Sequence, residues 1–249
     1  MFIRNIISSA LVAAFATTSC APAYVANTSN APMFDKAKEL TANISYFSGI
    51  NAQVAYSFSD HIAAMANGNV IIVKPDFSEA ERPAARPHHL FGEAGLGYFK
   101  GQDKLRFEVF GGYGIGEGYS RQPRGFLSPE GESIIGKGTY DRFFLQPSVG
   151  MEFDHFMFII TTRISAVNFR SYSLVANGSQ GQSFDAPTAG YNFYLEPALT
   201  WRFRPVNTIN PFVQISMTGP LHDVNYHCNI FHMAVGIQLH SRPSQKHGD

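Results

Sequence analysis

The sequence predicts an all-β fold: an antiparallel, up-and-down transmembrane β-barrel of about ten strands that follows a cleaved signal peptide. Three observations predict it: hydropathy alternates with period two from residue 38 onward, connections alternate between short and long, and aromatic residues lie near strand ends. Only 15% of the residues are charged, below the roughly 25% of ordinary soluble domains. The 19 basic residues balance 19 acidic ones, so the composition indicates no nucleic-acid partner.

The first twenty residues have the pattern of an export signal. Arg4 supplies the positive start, and residues 6–16 form an apolar core that is too short to span a membrane. Two cleavage hypotheses stay open: lipidation of Cys20 after a loose lipobox at residues 17–19, or cleavage after Ala23. We favour lipidation of Cys20. The predicted organisation is a signal peptide over 1–19, a lipid-anchored flexible linker over 20–37, a barrel over 38–240 and a polar tail over 241–249.

Strands are predicted wherever apolar residues alternate with polar or small residues along the sequence. In residues 50–58, for example, Ile50, Val54 and Tyr56 alternate with Asn51 and Gln53, which is typical of a strand with one apolar face. The count becomes eight or twelve if the third or ninth strand is misread. The predicted strands span 38–47, 50–58, 61–73, 89–99, 104–119, 138–153, 156–172, 191–203, 210–218 and 226–240.

The connections give independent support for a membrane barrel. Those after strands two, four, six and eight are short, whereas those after strands three, five and seven are long. Short turns on one side and long loops on the other are the layout of outer-membrane barrels. This layout places both termini on the periplasmic side, which agrees with the even strand count. Pro147 and Pro197 lie within predicted strands and indicate bulges, because proline donates no hydrogen bond to a sheet.

Aromatic residues near the strand ends predict two girdles at the membrane interfaces, where amphipathic rings are favoured. The predicted girdle residues are Tyr46, Phe58, Tyr98, Phe99, Tyr119, Tyr140, Phe153, Phe156, Tyr172, Tyr191, Trp201 and Phe203.

Charged residues on the inward face predict an ion-paired lumen rather than a selective pore lining. A barrel of about ten strands is narrow and largely filled by side chains, so unpaired charges inside it are costly. The turn between strands four and five is expected to bring Glu93, Arg106 and Glu108 into one inner patch, and we expect Arg106→Ala to destabilise the barrel. The predicted lumen charges are Arg106, Arg142, Arg163 and Arg202 with Glu93, Glu108, Glu152 and Glu196.

A catalytic or metal site would require histidines placed beside a carboxylate or a hydroxyl group. The candidates are His88, His89, His222, Asp223 and His227, with Ser216 or Thr218 as a nucleophile, but no motif fixes their geometry and no known ligand spacing is present. We therefore expect loop histidines in water, no enzyme, no metal and no cofactor apart from the covalent lipid at Cys20.

Six short pieces of the first half carry a resemblance to a known family: residues 24–27, 53–56, 60–62, 65–68, 95–98 and 107–114. Through them the segment 27–118 resembles a group of outer-membrane lipoproteins of Bacteroidota, and the whole chain is more loosely similar to small porin-like and surface barrels. The resemblance implies the outer membrane as the location and its lipid as a partner, but it transfers no catalytic residue. No acidic residues stand just after Cys20, as the resemblance would imply for a lipoprotein of this group sent to the cell surface, which favours a periplasm-facing lipid.

The leading functional hypothesis is a structural or binding role, which includes a role as a subunit of a larger envelope complex. The alternatives are a narrow channel for small solutes, a membrane-face lipid hydrolase or acyltransferase, and a soluble ligand-binding barrel.

Overall fold

The structure of the chain is a computed structural model that describes residues 24–46, 49–72, 88–123, 133–177, 190–203, 208–222 and 231–241. The described residues form β-strands joined by turns, and they include no helix that is long and apolar enough to cross a membrane. The strands are β1 (Leu40–Tyr46), β2 (Ile50–Ser57), β3 (Ile62–Ile72), β4 (His88–Gln102), β5 (Leu105–Pro123), β6 (Ser133–Glu152), β7 (Phe156–Asn177), β8 (Tyr191–Phe203), β9 (Ile209–Met217), β10 (Gly219–Pro220) and β11 (Phe231–Ser241).

The strands close into a ring. Each strand from β1 to β8 pairs antiparallel with the next one in the chain, β9 pairs with both β8 and β11, and β11 pairs with β1 from Leu40↔Ser241 to Tyr46↔Val235. The short β10 continues β9 along β8, so the two segments act as one strand. The fold is therefore a closed antiparallel up-and-down barrel of ten strands, as the alternation predicted.

The two prolines interrupt hydrogen bonding without shifting the strand register. The pairing of β6 with β7 skips Pro147, and the pairing of β8 with β9 and β10 skips Pro197, but the same register resumes beyond each proline. The missing N–H group accounts for both gaps. The bulges predicted at these prolines are wrong, because the register shift lies instead between Thr139 and Tyr140 on β6.

Side chains alternate between the lumen and the outer surface along every strand. On β8, exposed positions such as Phe193 alternate with buried ones such as Tyr194. Two aromatic residues assigned to the interfacial girdles depart from the prediction, since Phe99 and Tyr140 point inward and are fully buried. Phe99 on β4 and Tyr140 on β6 occupy positions whose side chains alternate toward the lumen. This alternation along the strand, and not closeness to a strand end, decides where the two rings point.

The barrel has two unlike ends. We call the end with the turns at 58–61, 103–104 and 153–155 the turn end, and the opposite end, which carries the connections 73–87, 124–132 and 178–189, the loop end. Strands β5, β6 and β7 extend further toward the loop end than predicted, so the connections between them are shorter than the alternation indicated. β1 begins at the turn end and β11 finishes there, and both ends of the ring of strands therefore lie on one side.

Candidate functional site: the occupied lumen

The lumen of the barrel is occupied by the chain's own N-terminal segment. Residues 24–34, which we call the plug, are buried throughout, and none of them belongs to a strand of the barrel wall. A flexible linker is predicted over residues 20–37, but residues 24–34 are packed inside the barrel, whereas residues 35–37 are at least partly exposed. After the plug, residues 35–39 lead to the start of β1 at the turn end.

Side chains of the barrel wall bind the backbone of the plug near its middle. The amide of Gln214 makes two hydrogen bonds to Ser29: its Oε1 accepts from the backbone N–H at 2.9 Å, and its Nε2 donates to the carbonyl at 3.1 Å. Thr28 is held in the same way, with its N–H donated to Asn51 Oδ1 at 3.3 Å and its carbonyl accepting from Gln53 Nε2. These bonds replace the partners that an extended segment would find in a sheet.

The same mode of contact continues toward the turn end. Gln146 Nε2 donates to the carbonyl of Asn30 at 2.7 Å, and the N–H of Met33 donates to Glu108 Oε2 at 2.9 Å. The guanidinium of Arg202 donates to the carbonyl oxygens of the two residues between them, Ala31 and Pro32. Wall side chains from several strands thus satisfy consecutive peptide groups of the plug, which fixes its position along the barrel.

A network of buried charges lies beside the plug in the half of the lumen nearer the loop end. The carboxylate of Glu93 forms an ion pair with Arg142 and lies 3.6 Å from Arg163 Nη2. It also accepts hydrogen bonds from Asn67 Nδ2 at 2.8 Å and from the plug residue Asn27 at 3.1 Å. All four wall residues come from β3, β4, β6 and β7, and the two arginines are fully buried.

The plug contributes polar groups that complete this network. Asn27 Oδ1 accepts from both Arg142 Nη2, at 2.6 Å, and Arg163 Nη1, at 2.8 Å. The hydroxyl of Tyr24 accepts from Arg142 Nη1 at 2.7 Å and donates to Glu196 Oε1 at 2.6 Å. Two arginines and two glutamates thus meet beside the plug, and each glutamate lies within ion-pair distance of at least one arginine.

A second ion-pair group lies at the turn end. Arg106 Nη2 lies 3.2 Å from Asp35 just after the plug and 3.2 Å from Glu152 on β6. The single inner patch predicted for Glu93, Arg106 and Glu108 is wrong. The turn at 103–104 pairs Arg106 with Gly101 and Glu108 with Phe99, whereas Glu93 pairs with Gly114 much further along β5.

Apolar contacts close both ends of the plug. Near the loop end, the ring of Tyr24 packs against Tyr140 and Tyr194, with centroids 5.6 and 4.8 Å apart. Near the turn end, Phe34 belongs to a buried cluster with the inward-facing Phe99 and Phe110. From the loop end to the turn end, the plug therefore passes an aromatic cluster, the charged network, the amide side chains and a second apolar cluster.

The expectation of loop histidines in water is wrong for His89, which is buried on β4. The ring nitrogens of His89 lie 2.9 Å from Asn69 Oδ1 and 2.7 Å from the Tyr140 hydroxyl, and His222 Nε2 lies 3.1 Å from Asn192 Oδ1. Thr218 Oγ1 lies 3.2 Å from His232 Nε2. Within the described ranges, no group of three or more His, Cys, Asp or Glu residues could hold a metal ion. The candidates Asp223 and His227, and the lipidation candidate Cys20, lie outside the described residues.

Comparison of the chain with models of protein families finds no match, and neither does comparison with curated proteins.

Proposed function

We propose that this chain is a lipid-anchored outer-membrane β-barrel whose lumen is permanently sealed by its own plug and whose role is structural or binding, exerted through the loop end and toward other envelope proteins. The observation that carries the proposal is the plug, because a lumen filled by hydrogen-bonded backbone and paired charges leaves the rims and the outer wall as the surfaces available to partners.

The outer wall supports a membrane location. Large apolar side chains point outward on every long strand, including Ile44, Leu96, Leu145, Ile160 and Val235, each at least 40% exposed. Contiguous apolar patches on monomeric soluble proteins rarely exceed a few hundred Å². A belt that continues around the barrel is the surface that hydrocarbon solvates, while the polar side chains face the lumen, which is the arrangement of a transmembrane barrel.

Aromatic side chains near the strand ends support the same location. Tyr46 and Tyr191 are exposed near the loop end, whereas Phe58, Phe153 and Phe203 are exposed near the turn end. Rings at these two levels, with aliphatic residues between them, match the interfacial girdles of membrane proteins.

The plug argues against an open channel. Its removal from the lumen would break consecutive backbone hydrogen bonds and would leave Glu93, Arg142 and Arg163 with fewer partners. Each lost partner of a buried charge costs on the order of 1–3 kcal/mol, so spontaneous opening is rare on the scale of ion conduction. We therefore propose a closed barrel in preference to a solute channel.

The test combines fractionation with conductance. The full chain is expressed with its signal, outer membranes are isolated, and the mature protein is run on a gel with and without boiling. We expect a heat-dependent shift in the outer-membrane fraction and no steady conductance when the purified protein is reconstituted in a planar lipid bilayer. Release of the protein by salt without any gel shift would contradict the membrane barrel, and a steady open current would contradict the sealed lumen.

A further inference from the structure

We propose that the N-terminus of the mature chain leaves the barrel through the loop end, so that its lipid lies in the membrane leaflet on the loop side, opposite the C-terminus. In an outer-membrane barrel whose long loops face outward, this leaflet is the outer one and the anchor is on the cell surface. The inference rests on the proposed function, because it requires the barrel to span the outer membrane. It replaces the expectation of a periplasm-facing lipid.

The direction of the plug follows from its contacts. Tyr24 packs against Tyr140, whose hydroxyl contacts His89, the second residue of β4 after the connection 73–87 at the loop end. At the other limit, Asp35 pairs with Arg106, the second residue of β5 after the turn at 103–104. The chain therefore runs from the loop end to the turn end as its residue numbers rise.

The contacts of the plug residues between these two limits follow the same direction, from the loop end to the turn end. Asn27 bonds to Glu93 in the middle of β4, and Met33 bonds to Glu108, which pairs with Phe99 near the end of that strand. On β4 alone, the wall residues at the two ends of the plug are ten residues apart: His89 contacts Tyr140 beside Tyr24, and Phe99 packs against Phe34. The plug therefore runs through most of the length of this strand inside the lumen.

Covalent geometry limits where the lipid can lie. Cys20 precedes Tyr24 by four residues, which reach at most about 14 Å. Tyr24 has no exposed surface and lies in the aromatic cluster of the loop-end half, so this reach extends to the membrane interface at the loop end and not to the one at the turn end.

The experiment compares the accessibility of the two termini in the full-length protein. A short epitope is inserted after Ala21 in one variant, and the same epitope is added after Asp249 in a matched variant. Antibody binding is measured on intact cells and on permeabilised cells. We expect the N-terminal epitope to be labelled on intact cells and the C-terminal epitope only after permeabilisation. Labelling of the N-terminal epitope only after permeabilisation, or equal labelling of both epitopes on intact cells, would overturn the proposal.

Two further readouts separate this inference from the proposed function. Each variant is first tested for the heat-dependent gel shift in outer membranes; loss of the shift in the unmodified chain would refute the barrel itself, whereas a shift with a shielded N-terminus would refute only the direction of the plug. The N-terminal peptide of the unmodified protein is then analysed by mass spectrometry, with Cys20→Ser as the control. We expect acyl chains on Cys20, and a mature chain that begins at Tyr24 would overturn the lipid anchor at the loop end.

Discussion

Replacing Arg142 by alanine should produce the largest loss of stability of any single charge removal in the lumen. Arg142 is fully buried, forms the ion pair with Glu93, and donates to both Tyr24 and Asn27 of the plug. Its guanidinium also lies 4.3 Å from the centroid of the Phe91 ring. The alanine variant thus removes one wall charge and two hydrogen bonds to the loop-end half of the plug.

The magnitude follows from what remains around Glu93. Removing one partner of a buried ion pair costs about 3–5 kcal/mol when the other charge is left uncompensated. In the variant, Glu93 keeps Arg163 at 3.6 Å and the amides of Asn67 and Asn27, so we expect the lower end of the range, about 3 kcal/mol. The double variant Arg142→Met with Glu93→Gln removes both charges and should regain about 1 kcal/mol or more of that loss.

The assay is denaturant unfolding of the barrel in lipid vesicles, followed by the heat-dependent gel shift and by tryptophan fluorescence of Trp201. The control is Arg170→Ala on β7, which removes an arginine paired with Asp141 at 2.9 Å but with a side chain 59% exposed on the outside of the barrel. We expect a large fall in the unfolding midpoint for Arg142→Ala and little change for Arg170→Ala. Equal midpoints for Arg142→Ala and the unmodified chain would refute the buried network.

Three other substitutions test separate parts of the molecule. Arg106→Ala should cost about 1 kcal/mol, less than Arg142→Ala, because its partner Asp35 is 45% exposed and solvent screens the pair; a larger loss than for Arg142→Ala would be inconsistent with this. Gly150→Val should cost about 1–3 kcal/mol of stability, because a Cβ atom at Gly150 would lie 2.8 Å from Met33 Sδ in the plug. Its control is Gly92→Val, which should be tolerated because a Cβ atom at Gly92 meets nothing within 4 Å. Leu145→Arg should destabilise the barrel in vesicles by about 2–4 kcal/mol, because Leu145 is 50% exposed in the middle of the outer wall. Leu221→Arg at the loop end should not destabilise it. Equal effects of the two substitutions would argue against lipid at the outer wall. Unfolding midpoints measured in the same vesicles check all three.

The barrel was predictable because its information is local and repeated. Alternation such as that of Ile50 to Ser57 sets the two faces of a strand, and the alternate short and long connections set the up-and-down order. The inward direction of Arg142, Arg163 and Glu196 follows from the same parity. No further information was needed to place these charges in the lumen.

The plug was not predictable from the same pattern, because its contacts are neither local nor periodic. Ser29 and Thr28 are held by side chains of β2 and β9 that bind peptide groups, and such contacts impose no pattern on the sequence of the plug itself. One signal was present in the wall: inward positions carry many amide side chains, such as Asn51, Gln53 and Gln214, in addition to the balanced charges. Amides are suited to bind both N–H and carbonyl groups, so their abundance inside a narrow barrel indicates a backbone as the occupant.

The ion-pair partners also needed the three-dimensional register. Glu93 is paired with arginines on β6 and β7, two and three strands away, and not with Arg106 on the adjacent β5. The register between β4 and β5 separates Glu93 from Arg106 along the barrel axis, and the curvature of the sheet brings inward side chains of β4 within reach of those on β6 and β7. Two charges in the lumen pair when they lie at the same height along the barrel axis and when no other lumen group separates them. Neither condition can be read from the distance between the residues in the sequence.

The occupation of the lumen by the plug is tested most directly by a disulfide between the plug and the wall. Ser45 Oγ of β1 lies 3.5 Å from Thr28 Oγ1, so the two side chains approach each other directly and cysteines at these positions could form a disulfide after a small rotation. The pair Thr28→Cys with Ser45→Cys is made in a Cys228→Ser background, and Thr28→Cys with Ser57→Cys is the control, because Ser57 contacts Lys36 beyond the turn-end limit of the plug. We expect a disulfide in outer membranes for the first pair only, detected as a linked peptide by mass spectrometry. Two free thiols in the first pair, or equal cross-linking of both pairs, would contradict a plug held in the lumen.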